Sequence, residues 1–457
     1  MITVKAGVQN RRRRPKRVAM TDAPQRRAQA APLRRARVLL RRHGPTATVW
    51  RRRVAIVGGA TLIGLAAIAF ARTADRASGL FDAMTARFWW LPLVLTPASY
   101  VLIVWLTNRL APAARGSGIP QIIAAKQDPG AAMSDLASGR TAILKTALTA
   151  GALAAGASVG REGPTVQLGA TIMAYTHKWL RVPINASVLV AGAGAGVAAA
   201  FNTPLAGVAF AIEELAAAYE QRMTLLVMTA VLIAGMIAQG VAGDYVYFGI
   251  VGQTLPLGTV LIVAPVAGIL GGASGGLFSR LTLWFARGGA RRISGGRPLA
   301  LAFVCGLIVA TLGIATGTTW GTGYAPASAM IHGQATSLWF GPAKFTSTLL
   351  TTAAGLPGGI FSPSLATGAG VGNLLHALFP HEPAGAIILL GMVAYFTGVV
   401  RAPLTAVIII SETTGSRGLM LPLLAAAIIA EGAAALVCRE RLYHGLAQGF
   451  LPKTDPH

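Results

Sequence analysis

The chain has 457 residues, 54% of them hydrophobic and only 12% charged, with a positive mean hydropathy. That composition excludes an ordinary soluble domain and an unfolded, charge-rich chain. The net charge of +25 is unevenly placed, since residues 1–53 carry 17 Lys or Arg and a single acid, Asp22.

Residues 1–53 form a basic arm, with arginine runs at 11–14 and 51–53. In isolation such runs read as a nucleic-acid patch. Ahead of apolar segments, the positive-inside rule makes them a cytoplasmic arm, with anionic lipid headgroups as the expected contact and no nucleic acid as partner. The first apolar run starts near Val54, too far behind this arm for a cleaved leader, and is expected to stay as a span of an integral inner-membrane protein.

The apolar runs that follow lie at 54–71, 89–106, 141–159, 186–212, 223–242, 257–278, 299–317, 384–410 and 417–438. A full crossing needs about 20 residues. Several runs are shorter, and Gly and Pro interrupt many, so the pattern predicts an all-α polytopic membrane protein with tilted and broken helices. The 55 glycines either let helix backbones approach closely or reflect an Ala- and Gly-biased composition.

Three short strings inside this apolar sequence read as helix starts: Gly116-Ser117-Gly118-Ile119-Pro120, Gly160-Arg161-Glu162-Gly163-Pro164 and Gly358-Gly359-Ile360-Phe361-Ser362-Pro363. Lipid cannot satisfy freed backbone groups, so broken helices survive there only inside protein or along a polar cavity. The unpaired N–H groups and positive dipole end of a helix start suit an anion. Several such starts converging in a membrane point to an inorganic-anion transporter.

The chain also resembles itself at an offset of 199 residues. Gly160 falls on Gly359, Pro164 on Pro363, Gly169 on Gly368, Gly192 on Gly391, Pro204 on Pro403 and Glu213 on Glu412. This predicts two related halves, 54–250 and 251–445, followed by a short tail at 446–457, with the site at their interface. The offset alone leaves parallel and inverted repeats open. It aligns Glu162 with Phe361, so the halves differ where protonatable chemistry sits.

Acids are scarce, 15 in all, and Glu162, Glu213, Glu214 and Glu412 fall in or beside apolar runs. An acid at membrane depth usually faces a cavity or an ion path. At a helix start, the Glu162 carboxylate can occupy the spot an anion uses, and protonation would release it. The alternative is a pairing with Arg161 or an N-terminal cap. Glu213 and Glu214 also read as an interfacial helix end, given Glu220, Gln221 and Arg222 close behind, and Glu412 and Glu431 as packing or interface acids. Ser117 is an anion donor or a turn residue. Tyr443 fits a membrane-interface anchor equally well. Cys305 and Cys438 are expected as small packing residues, with neither disulfide nor metal site. A phosphate loop and a His-Glu-x-x-His pair are missing from the sequence, so no enzyme and no cofactor are expected.

Together with Phe201-Asn202-Thr203-Pro204-Leu205-Ala206-Gly207 and Arg401-Ala402-Pro403-Leu404-Thr405, these strings make the chain resemble the CLC family of chloride channels and chloride/proton exchangers over about residues 54–450. The resemblance implies two inverted-topology repeats and a homodimer with one pore per subunit. It assigns chloride binding to the Ser117 hydroxyl, the Tyr443 hydroxyl and the backbone N–H groups of Ile360 and Phe361. Gly116, Gly118, Pro120, Gly160, Arg161, Gly163, Pro164, Gly359 and Pro363 carry the supporting motifs. It makes Glu162 the gate and external proton glutamate, and Glu214 the internal proton glutamate. An acid at the Glu214 position is typical of exchangers, so chloride/proton antiport is expected, with a passive chloride channel as the alternative. Ser117 favours chloride over nitrate. Gln121 and Ile123 stand where bacterial relatives carry acids, which alters the expected proton route. With the last residue at His457, the cytoplasmic nucleotide-binding domains of many eukaryotic relatives are not expected.

Overall fold

A computed structural model describes residues 47–216, 221–243 and 246–451, with the side chains of 221–223 left aside. Most of the basic arm, Glu220, and the tail beyond Leu451 therefore lie outside the described residues. By contact the chain divides into units 1–50 and 51–457, and every candidate site residue belongs to the second.

Helices dominate the described residues, and the only β-type pairings there are isolated bridges. In chain order the first half runs through α1 (Ala47–Arg87), α2 (Pro92–Leu110), α3 (Ile119–Ala125), α4 (Gly139–Leu153), α5 (Glu162–Trp179), α6 (Ala186–Phe201), α7 (Pro204–Phe210) and α8 (Gln221–Ala242). The second half runs through α9 (Leu257–Trp284), α10 (Pro298–Thr316), α11 (Tyr324–Ile331), α12 (Phe340–Ala354), α13 (Phe361–Leu378), α14 (Ala384–Val400), α15 (Pro403–Thr414) and α16 (Met420–Val437), and a short α17 (Leu442–Ala447) follows. Six helical segments are long and apolar enough to cross a membrane, and α6, α14 and α15 are shorter apolar pieces. This is the crowded bundle of full and partial helices that the interrupted runs predict.

The 199-residue offset reappears as matched helix starts. Helices α5 and α13 begin at 162 and 361, α7 and α15 at 204 and 403. Two predicted runs are corrected. Each of 186–212 and 384–410 is two helices, broken at Asn202 (φ 58°) and Arg401 (φ 63°), which are left-handed helix ends. The cause is Pro204 and Pro403, which lack an N–H and push the preceding residue out of helical geometry. Arg401 is secured there by its guanidinium, which donates to the Cys438 carbonyl (3.2 Å) and lies 3.9 Å from Glu431.

Small residues carry the helix crossings. A Cβ on Gly169 or Gly192 would press into the backbone of the other helix of the α5–α6 pair, and Gly368 and Gly391 do the same for α13 and α14. With no hydrophobic force between helices in lipid, such close backbone contact supplies the attraction.

The two halves also cap one another. The Glu213 carboxylate accepts from the N–H groups of Leu404 (3.1 Å) and Thr405 (2.7 Å) at the start of α15, and from the Thr405 hydroxyl (2.7 Å). The Glu412 carboxylate accepts from the N–H groups of Leu205 (3.2 Å) and Ala206 (2.7 Å) at the start of α7. Glu213 and Glu412 are related by the offset, so this is one contact made twice across a local two-fold. Such charge-assisted bonds are worth about 1.5–3 kcal/mol each. Glu412→Ala is accordingly expected to lower stability by about 2–4 kcal/mol and Glu412→Gln by less, read as a drop in the thermal unfolding midpoint in detergent. An unchanged midpoint would show that the carboxylate does not tie the halves together.

Candidate functional site

The three glycine-rich strings meet at one point. Gly160 N–H donates to the Gly359 carbonyl and Gly359 N–H to the Gly160 carbonyl, both at 2.7 Å, in an antiparallel bridge between offset-related residues. Gly116 N–H donates to Leu356 O (3.3 Å), and Gly358 N–H to Gly116 O (3.2 Å). The pairing brings the N-terminal ends of α5 and α13 side by side. The start of α3 joins them from the side.

Gln121 shapes that third start. Its Oε1 accepts from Gly118 N–H (3.0 Å), while its Nε2 donates to the carbonyls of Arg115 (2.6 Å) and Ala113 (3.1 Å). An amide can accept and donate at once, which a carboxylate cannot. Gln121 is a brace for the loop, and Ile123 is buried in the apolar core.

Beyond this loop lies the pair Ser117 and Tyr443. Both side chains are buried, and neither hydroxyl oxygen has a hydrogen-bond partner in the protein. Leaving a buried hydroxyl unpaired costs about 1–3 kcal/mol, so two of them at one point mark a place built for something that accepts hydrogen bonds. The Tyr443 ring stacks on Phe361 (6.2 Å between centroids, 19° between planes), and Phe201, Phe210 and Phe396 surround Phe361. Apolar rings on the flank and donors at the centre suit a small, partly dehydrated anion. Ile360 and Phe361 sit where α13 begins, and the first N–H groups of a helix have no acceptor within it.

Glu162 is the first residue of α5 and is 1% exposed. Its Oε1 accepts a 2.5 Å hydrogen bond from the Ser362 hydroxyl, at the start of the opposing α13, and its Oε2 has no partner. The carboxylate thus lies between two helix starts. Arg161 does not hold it. The Arg161 guanidinium turns to Asp75 (2.6 Å) and to the Ala71 carbonyl (3.1 Å) on α1.

Two cavities approach this centre and share no lining residue. One, of about 710 Å³, runs past Asp75, Asp82, Tyr247 and Tyr324 to Arg161. The other, of about 650 Å³, runs past Asn108, Arg115, Asp135 and Phe450 to Ser117 and Ile360. Arg161, next to Glu162, lines the first, and Ile360, next to Phe361, lines the second. Glu214, in the π-helical turn after α7, is buried with neither carboxylate oxygen hydrogen-bonded, and its Oε1 lies 3.4 Å from His444 Nδ1. Tyr443 is within electrostatic reach of both Glu162 and Glu214.

The residues singled out in the sequence are therefore brought together, from sequence positions over 300 residues apart. Three others carry contacts that sequence reasoning gave no role: Ser362, His444 and Asp75. Ser362 sits inside a motif string, His444 follows Tyr443, and Asp75 is an acid within a long apolar helix. Those are the signals that could have found them. Among the described residues, no group of three or more His, Cys, Asp or Glu is arranged to hold a metal ion, and Cys305 and Cys438 are free and buried.

Comparison with known proteins gives a consistent picture. Residues 99–435 match the family described as voltage gated chloride channel. The chain is 32% identical over 429 residues to the H(+)/Cl(-) exchange transporter ClcA of Klebsiella pneumoniae, covering 88% of this chain and 89% of that one. It is also 32% identical over 424 residues to the protein of that name from Cronobacter sakazakii, covering 86% and 88%. Among solved structures, a slow cyanobacterial Cl-/H+ antiporter superposes with a TM-score of 0.75 at 26% identity, over 88% of this chain and 98% of that one.

Proposed function

Because this chain belongs to the voltage gated chloride channel family, we propose that it moves chloride across the membrane in exchange for protons. It is a transporter and not an enzyme. The observation that carries the reading is Glu162, a buried carboxylate at the start of α5 that is bonded through one oxygen to Ser362 at the start of α13 and left unpaired at the other.

In this cycle chloride rests between the hydroxyls of Ser117 and Tyr443 and the first N–H groups of α13 at Ile360 and Phe361. Charge-assisted bonds to backbone N–H and hydroxyl donors are the strong class, and the helix ends add their partial positive charge. The Glu162 carboxylate competes for the same field. When it takes a proton it loses its claim on the helix starts and swings aside, and chloride can pass. When chloride leaves, the carboxylate returns and gives up the proton. Glu214 supplies and removes protons from the other side, with Tyr443 between the two acids. A passive channel would need no second buried acid, and Glu214 is what favours exchange. The Gly116, Gly118, Pro120, Gly160, Gly163, Pro164, Gly359 and Pro363 positions hold the three helix starts in place.

The second cavity is assigned to the cytoplasmic side. Arg280, Arg287, Arg292 and Arg439 line a third cavity at the end of α9 and ahead of α17, and Arg441 follows. This cluster obeys the positive-inside rule independently of the N-terminal arm. The same rule puts residues 1–53 in the cytoplasm of a cell whose inner membrane holds the protein, against anionic headgroups. The repeats span 54–250 and 251–445. A homodimer accounts for the apolar side chains of Leu205 (63% exposed) and Leu404 (55% exposed), which flank the reciprocal caps.

The test is chloride-gradient-driven proton movement in liposomes holding the purified protein. Protons moving against their own gradient while chloride runs down its gradient support exchange. Chloride flux with no proton movement would make the protein a channel.

A further inference from the structure

The proposed exchange cycle, on which this inference rests, requires protons to reach Glu214, whose side chain is fully buried. The acids expected near that route are replaced by Gln121, which is spent on the loop, and Ile123, which is in the core. Among the described residues, one partly exposed group lies against Glu214. His444, on α17, has its Nδ1 3.4 Å from Glu214 Oε1 while 41% of its side chain remains exposed. Neither atom has another hydrogen-bond partner. A small rotation of the ring brings the pair to hydrogen-bonding distance.

Among the described residues, the other charges around Glu214 are engaged elsewhere. Lys126, at the end of α3, donates to the Leu215 carbonyl (2.7 Å). Arg441 lies 4.0 Å from Glu431, and Glu213 is spent on the start of α15. Glu440 faces Arg287 (2.5 Å) and Gln448 (3.2 Å). Histidine is the side chain suited to exchange protons with water near neutral pH, and its two nitrogens let it take a proton on one side and release it on the other. Leu446, on the same short helix, lines the cavity assigned to the cytoplasm.

We propose that His444 is the relay that carries protons between cytoplasmic water and Glu214. Its water-facing Nε2 accepts a proton from hydronium, forming an N–H bond as an O–H bond breaks. The Nδ1–H bond of the resulting imidazolium then breaks as an O–H bond forms at Glu214 Oε1. The neutral ring is left with its proton on Nε2; when the ring turns Nδ1 to water, Nδ1 gains a proton from water as Nε2 releases one to it, and turning back restores the starting tautomer. Export runs the same steps backwards.

The experiment compares wild type, His444→Ala and His444→Gln in liposomes, measuring protons moved per chloride, with and without millimolar imidazole on the cytoplasmic side. Both variants are expected to lose about tenfold or more of the chloride-driven proton movement. Imidazole is expected to restore His444→Ala, where space is left for it, and to leave His444→Gln unchanged. Calorimetric chloride binding within about twofold of wild type, under 0.5 kcal/mol, certifies that each variant is folded. Wild-type proton movement in both variants would overturn the relay and leave the exchange reading intact. So would a loss in folded His444→Ala that imidazole does not relieve, since that marks a purely structural role. A wild type that moves no protons would overturn the exchange reading first, and the relay with it.

Discussion

Glu162→Gln is expected to abolish chloride-driven proton movement, by about a hundredfold or more, while leaving a folded protein that binds chloride. The amide cannot take up or release a proton, so no turnover of the gate can carry one. Like the protonated acid, the amide carries no charge to hold it at the helix starts, so the Ser362 bond that the carboxylate accepts is expected to be given up and the side chain to rest aside. What disappears is the negative charge that competes with an anion for two helix starts, each equivalent to about half a positive charge. Chloride binding measured by calorimetry should therefore tighten in the variant, because its competitor has gone. Proton movement recorded with a pH electrode against a chloride gradient should fall to the leak of empty liposomes. If Glu162→Gln still drives protons, the carrier is another acid and Glu162 is only a plug.

How much of this site could be read from the chain depends on what hydropathy measures. The three glycine- and proline-rich strings stand out because they interrupt apolar sequence, and the offset of 199 residues by itself pairs Glu162 with Phe361 as equivalent helix starts. The bodies of α5 and α13 are not among the predicted apolar runs, however. They carry Gln167, His177 and Lys178, and Ser362, Ser364, Thr367 and Asn373. Hydropathy scores transfer into lipid, whereas these helices sit in protein. There Gln167 donates to the Leu136 carbonyl (2.6 Å) and Thr367 to the Pro363 carbonyl (2.8 Å). The breaks at Asn202 and Arg401 vanish for a related reason, since averaging over a long run hides a single left-handed residue. Contacts across the fold were beyond reach altogether. The bonds from Ser362 to Glu162 and from Leu404 to Glu213 link residues about two hundred positions apart, and no local pattern announces them.

Gly118→Ala is expected to cost about 2–5 kcal/mol and to weaken chloride binding at least tenfold. Gly118 sits at φ 112°, where an L side chain is strained, so any Cβ carries a penalty before it meets a neighbour. The Cβ would then lie 2.5 Å from the Gly163 carbonyl oxygen and 3.1 Å from its carbon, both of them backbone at the start of α5. A side chain can rotate away from such a contact, but a helix start cannot. Relief requires α3 and α5 to separate, which draws the Ser117 hydroxyl away from Tyr443 and loosens the bridge that holds Gly160 to Gly359. The defect should therefore appear in both the unfolding midpoint and the chloride affinity of the purified protein. Gly151→Ala supplies the contrast, since Gly151 lies inside α4 with no atom within 4 Å of its added Cβ. Alanine there removes the entropy cost of a helical glycine, about 0.5–1 kcal/mol, and should leave chloride binding untouched. Equal behaviour of the two variants would mean that the close approach of Gly118 and Gly163 is not what fixes the anion site.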